Sequence, residues 1–97
     1  MSRVAHVCHA PGCRRPTRPK MLMCPWCWDL VSPEHQAAVW EHYRPGQERD
    51  KRPSKPWLAA AMDAKADVLD AREPGAGDLY RASAERLRVE LEAACRT

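Results

Sequence analysis

Four cysteines near the start of the chain limit what it can fold into more than any other feature. Cys8 and Cys13 form a C-x4-C pair, Cys24 and Cys27 a C-x2-C pair, and ten residues separate the two. A tetrahedral zinc ion takes four soft ligands, and two short loops that each carry a pair deliver them with little backbone strain. The spacing therefore predicts one structural zinc held by Cys8, Cys13, Cys24 and Cys27. His6 and His9 flank Cys8 and compete for the same role. Cys8 is preferred because thiolate binds zinc more tightly than imidazole in such a knuckle.

Composition makes a metal staple necessary. The 97 residues contain no Phe and no Ile, and only seven Leu and six Val. That falls below the roughly 20% of large aliphatic and Phe residues at which a chain struggles to fold by burial alone. Fifteen Ala supply much of the nominal hydrophobicity but bury little area. A bound metal can replace the missing core. No apolar run is long enough for a membrane span, and no secretory segment is evident, so a cytoplasmic setting is expected. In a reducing compartment, paired cysteines serve metals more often than disulfides.

The formal charge of +3 overstates the holo protein. Four thiolates and one zinc together carry −2. The charge is also divided: residues 1–56 hold ten Lys/Arg and five Asp/Glu, residues 57–97 six and eight. A basic module precedes a mildly acidic tail.

Three units follow along the chain: a zinc-knuckle module over 1–31, a helix and linker over 32–53 packed on it, and a helical hairpin over 54–97. The fold class is mainly α, with little or no β structure. Between the cysteine pairs, the prolines of 14–20 predict an extended loop or short edge strand, and Met21-Leu22-Met23 a returning strand. Ser32-Pro33-Glu34 is a helix start, with Ser as N-cap and Pro at the first helical position. This helix is expected to reach Arg44, where Pro45-Gly46 ends it. Ala37, Trp40 and Tyr43 share a face, with Val39 beside it, and Trp40 is the expected anchor on the zinc module. His35 and His42 are expected to face solvent. Ser54 caps a second long helix to Arg72 or Glu73, with Leu58, Ala61, Met62, Lys65, Val68 and Leu69 on one face. Pro74-Gly75-Ala76-Gly77 breaks it. Asp78 opens a third helix to Arg96, striped by Tyr80, Ala84, Leu87, Leu91 and Ala94. Cys95 sits beside that stripe. Arg81–Glu85, Arg86–Glu90 and Arg88–Glu92 are i,i+4 pairs expected on its solvated face.

Three functional classes fit these features. The first is a non-enzymatic, zinc-stabilised adaptor or regulator that binds a protein through the apolar stripe of the last helix, at Tyr80, Leu87 and Leu91. The second is a DNA- or RNA-binding regulator. Arg14, Arg15, Arg18 and Lys20 would pair with phosphates, and Trp26 and Trp28 would stack on bases. Against it, nearby arginines are equally needed to offset a tetrathiolate of charge −2. The third is a thiol redox enzyme working through Cys24 and Cys27, since C-P-W-C resembles the C-P-x-C of thiol-disulfide oxidoreductases. That chemistry wants a helix following a strand inside a larger sheet, and no such pattern is present. No metal-deaminase or zinc-protease motif occurs either. The reading is therefore not an enzyme.

Cys8-His9-Ala10-Pro11-Gly12-Cys13, Cys24-Pro25-Trp26-Cys27-Trp28 and the run Val39-Trp40-Glu41-His42-Tyr43-Arg44-Pro45-Gly46-Gln47 resemble small zinc-finger-like proteins of actinobacteria and their tailed phages. The resemblance covers residues 8–62. Many similar proteins read C-x2-H-W at the second knuckle, where this chain has Cys27 before Trp28; zinc accepts either ligand. The resemblance implies a phage or actinobacterial accessory protein acting in the host cytoplasm, with host takeover as one role. It implies no activity.

Overall fold

The two ends of the second cysteine pair are joined by a single helical turn. Pro25 starts α1 (Pro25–Trp28) directly after Cys24, so both thiols lie on one short element. This structure is a computed structural model and describes residues 6–18, 21–47 and 52–95. Three more helices follow among the described residues: α2 (Pro33–Glu41), α3 (Lys55–Arg72) and α4 (Asp78–Cys95). Lys20, Arg96 and the Cys95 side chain, all named above, lie outside what is described.

The module contains no strand among the described residues. Met21-Leu22-Met23 is not a strand. It is a bent stretch that buries Leu22 and Met23 and accepts the His9 N–H at the Leu22 carbonyl, 3.0 Å. Only one antiparallel bridge forms, between Val7 and Pro16. Proline in the 14–20 loop lacks the N–H that a longer ladder would need.

The helix caps follow the sequence. Ser32 Oγ accepts from the His35 N–H at 3.4 Å, and Ser54 Oγ from the Trp57 N–H at 3.3 Å. Both helices carry proline in the first turn. α2 ends at Glu41, earlier than expected. A residue before proline is pushed out of the helical region, and Tyr43-Arg44-Pro45-Gly46-Gln47 makes its own turn. Gly46 adopts φ 92°, and Gln47 Oε1 accepts from the Arg44 N–H at 3.0 Å.

The buried face of α2 also differs from expectation. Val39 is buried, whereas Trp40 is 41% exposed and Ala37 faces solvent. The reason is polar. His35, one turn before Val39, donates or accepts through Nδ1 at 2.6 Å from Asp67 Oδ2 on α3, and the Ser32 N–H donates to the same oxygen at 3.0 Å. These bonds turn the 35/39 face toward α3. His35 is therefore half-buried, not solvent-facing, while Trp40 sits at the margin with its ring edge-on to Tyr43 at 5.5 Å. Trp40 is not the anchor.

α3 packs against both α2 and α4. It buries Ala59, Ala60, Ala61, Ala64, Ala66 and Val68, more of its circumference than the expected stripe. Small side chains let neighbouring helices approach from several sides. The seam with α4 is ionic as well as apolar. Asp63, Asp67 and Asp70 recur at helical spacing on α3, and Arg81 and Arg88 lie two turns apart on α4. Arg81 Nη2 donates to Asp67 Oδ1 at 3.0 Å and Asp70 Oδ2 at 2.7 Å, and Arg88 pairs with Asp63. The expected Arg81–Glu85 and Arg88–Glu92 pairs are thus replaced by cross-helix pairs. Buried carboxylates need charged partners more than exposed ones do. Where the helices turn, Gly77 lies against the α3 backbone. A Cβ there would meet the Ala66 carbonyl oxygen and fall 2.8 Å from Ala66 Cα.

Two outcomes follow for stability. Gly77→Ala should cost about 1–3 kcal/mol in denaturant unfolding, because rigid backbone must move to make room. Asp67 is raised by burial, but the Ser32 N–H, His35 and Arg81 outweigh that and hold it below the usual carboxylate value. Its contribution is therefore full above about pH 4, the unfolded value, and is lost as pH falls through the lower folded one. Asp67→Ala should cost about 2–3 kcal/mol at neutral pH. That is less than a fully buried pair because Arg81 stays 40% exposed. The gap between wild type and Asp67→Ala, read by urea unfolding, should close in acid.

Candidate metal centre

The first knuckle is shaped by Pro11-Gly12. Gly12 takes φ 82°, and the Cys13 N–H returns to the Ala10 carbonyl at 3.0 Å. The turn brings Cys8 and Cys13 to the same side. α1 supplies Cys24 and Cys27. The four sulfurs all lie within 4.8 Å of one another, with Cys13 Sγ and Cys24 Sγ 3.8 Å apart. A tetrahedral ion about 2.3 Å from each sulfur sets neighbouring sulfurs about 3.8 Å apart. The donor set and its dimensions therefore fit one ion. A disulfide needs about 2.05 Å, and all four cysteines are free thiols.

Cys8, Cys24 and Cys27 are buried, and Cys13 is half-buried. Four sulfur ligands close a tetrahedron and leave no position for substrate. Among the described residues no other group of His, Cys, Asp or Glu is placed to hold a metal. His6 and His9 stack on each other at 5.0 Å, and His6 Nε2 pairs with the Met21 carbonyl at 2.9 Å, so neither joins the cluster.

The electrostatics call for a cation. Burial would push the Cys24 thiol up, but the Cys27 N–H and the surrounding sulfurs bring it down to about 6. Burial and the neighbouring Cys24 push Cys27 up to about 12, and burial raises Cys8 as well. A cation bound among the sulfurs would favour the thiolate form of each. The Ala10 N–H also donates to Cys8 Sγ at 3.5 Å.

Two arginines face the sulfurs from outside. Arg15 lies near Cys24 and Cys13, whose thiolate charge would favour its own, with its guanidinium 4.7 Å from the centre of the Trp26 ring. Arg72, at the end of α3, donates from Nη2 to Cys27 Sγ at 3.5 Å. The residues that the sequence offers to nucleic acid are thereby divided. Arg15 serves the sulfurs, and Trp28 packs against the core. Arg14 and Arg18 remain exposed, and Trp26 is 65% exposed with Arg15 over it. The last-helix residues Tyr80, Leu87 and Leu91 are half-buried. Lys65 Nζ lies 5.9 Å from the centre of the Tyr80 ring. The fully outward apolar residues of α4 are instead Leu79 and Val89, at 82% and 55% exposure.

A groove of about 510 Å³ opens beside the centre, between the loop after Cys13, α1, α2 and the start of α3. Trp28, Trp40, Tyr43 and Trp57 line it with Met21 and Val39. Trp57 Nε1 is buried and donates to nothing. Neither Arg72 nor this groove is legible in the sequence: their parts lie 45 residues apart for Arg72–Cys27 and on four segments for the groove. No family model, curated protein or solved structure matches the chain.

One divalent metal per chain is the expected result of elemental analysis on purified protein. Cys24→Ser should lose it, and metal affinity should fall as pH falls, because protons compete for the thiolates. A wild-type protein that is metal-free and fully folded would contradict the site.

Proposed function

We propose that this chain is a non-enzymatic adaptor, stabilised by one structural zinc, that binds a protein partner. Zinc is favoured over other ions because the donors are four thiolates in tetrahedral array. The observation that supports partner binding is the aromatic groove. A cleft of this size, walled by three tryptophans and a tyrosine, suits a bulky apolar side chain of a partner, as interface anchors commonly do. This moves the proposed docking surface from the stripe of α4, whose Tyr80, Leu87 and Leu91 are half-buried, to the groove. The resemblance to proteins of actinobacteria and their phages makes an accessory role in a host cytoplasm the proposed setting. No helix among the described residues is long and apolar enough to cross a membrane.

The nucleic-acid reading is weaker because Arg15 is engaged with sulfur and the outward cations Arg14 and Arg18 are few. A redox enzyme is disfavoured by the second pair of cysteines, which stands within ligand distance of the first. The readings separate in one set of binding measurements. The zinc-loaded protein should retain a protein from nuclease-treated lysate, and the purified partner should bind with little salt dependence. Trp40→Asp should weaken that binding at least tenfold, and Leu79→Asp should leave it unchanged. Binding that vanishes with nuclease, or in Arg14→Ala with Arg18→Ala, would assign nucleic acid instead. Catalytic turnover of a disulfide substrate would assign the enzyme.

A further inference from the structure

The strongest unexplained contact joins the far end of α3 to the metal centre. Arg72 is the last residue of that helix, and its side chain is exposed. One guanidinium nevertheless grips both knuckles. Nη1 donates to the Pro11 carbonyl at 2.9 Å, and Nη2 to Cys27 Sγ at 3.5 Å. Pro11 belongs to the turn between Cys8 and Cys13, and Cys27 is the last ligand.

We infer that Arg72 is a positioning residue of the metal centre, one that makes docking of the α3–α4 hairpin and retention of the metal strengthen each other. A cationic N–H donates strongly to a thiolate and weakly to a neutral thiol. The clasp ties the loop of the first cysteine pair and the last cysteine of the second to the end of α3, so it restrains the sulfur positions that a tetrahedral ion needs. Linkage makes the effect reciprocal: whatever the metal adds to the clasp, the clasp adds to metal affinity. Charge points the same way. Four thiolates and a divalent ion would leave −2, and among the described residues Arg15 and Arg72 are cations placed beside the sulfurs. Arginine, unlike lysine, has the planar fork to reach a carbonyl and a sulfur at once. The ordinary reason for arginine at a helix end is the macrodipole, which lysine satisfies equally.

This inference rests on metal binding but not on the partner reading. The test compares wild type, Arg72→Lys and Arg72→Met, each loaded with one zinc, and follows transfer of the metal to a chromogenic chelator. Outer partners of metal ligands typically account for about 10–100-fold in affinity. Arg72→Met should release zinc about tenfold faster, and Arg72→Lys should fall between it and wild type. In the cobalt-substituted proteins, loss of a donor to sulfur should shift the thiolate-to-metal charge-transfer band of Arg72→Met, a change that a packing role would not produce. Equal release rates with an unshifted band would overturn the role of Arg72 alone. Full rescue by lysine would assign the residue to the helix dipole. Wild-type protein that takes up neither metal would overturn the inference together with the site.

Discussion

Mutual repulsion among four clustered sulfur atoms, three of them buried, is the constraint on which the rest of this protein depends. The cluster lies inside the core, not beside it. Cys24 and Cys27 are, with Val68, the largest fully buried side chains. Cys8 joins the same contiguous cluster as Leu22, Val31, Val39 and Ala64. In most small domains a metal pins loops around an apolar centre made by other residues. Here the ligands are much of that centre. Ionising them without a cation would place several like charges in a low-dielectric interior, which a protein tolerates only by pairing them. A bound ion would therefore have two tasks, closing two loops and making its own ligands compatible with burial.

The hairpin solves a different shortage. α3 and α4 have few large apolar residues to interlock, and alanine and Gly77 let their backbones draw close instead. Close approach gives attraction but little register, because small side chains fit one another in many alignments. The carboxylates on α3 and the arginines on α4 supply the missing specificity. Asp63 pairs with Arg88, and Asp67 and Asp70 with Arg81, so sliding one helix by a turn would leave buried charge unpaired. Buried ionic contacts are weak sources of net stability, and fixing register is their best attested use.

Much of the fold can be read from local chemistry, because local chemistry decides it. The C-x4-C and C-x2-C spacings, the caps Ser32 and Ser54, and the break at Pro74-Gly75 each act within a few residues, and each stands where the sequence places it. Features that depend on a distant partner were not legible. Arg81 and Arg88 have glutamates four residues on, and i,i+4 pairing on a solvated face explains them equally well. The contrary signal was present but ambiguous: three aspartates at helical spacing on α3, opposite arginines seven residues apart on α4. Trp40 misled for a related reason. Size and spacing marked it as an anchor, but the rotation of α2 is set by polar bonds from Ser32 and His35 to Asp67, and nothing local to α2 encodes them. Arg72 gave no sign beyond its place in a last turn.

Asp67 is where these solutions meet. Its two oxygens accept from the Ser32 N–H at the start of α2, pair with His35 one turn later, and bind Arg81 of α4. One carboxylate on α3 thus sets the angle of α2 against the hairpin. α2, the turn after it and the first turn of α3 contribute Trp40, Tyr43 and Trp57 to the aromatic groove, while the cysteine module contributes Met21 and Trp28. The groove is then bordered from two sides, by the module that carries the cysteine cluster and by the charged junction that orders the helices. Neither lies in the groove, so a partner side chain would meet walls already held in place. Ordering of flexible walls is among the main costs of association. With so small an apolar core, the walls of such a groove depend on what holds the cysteine cluster together and on the charged junction at Asp67.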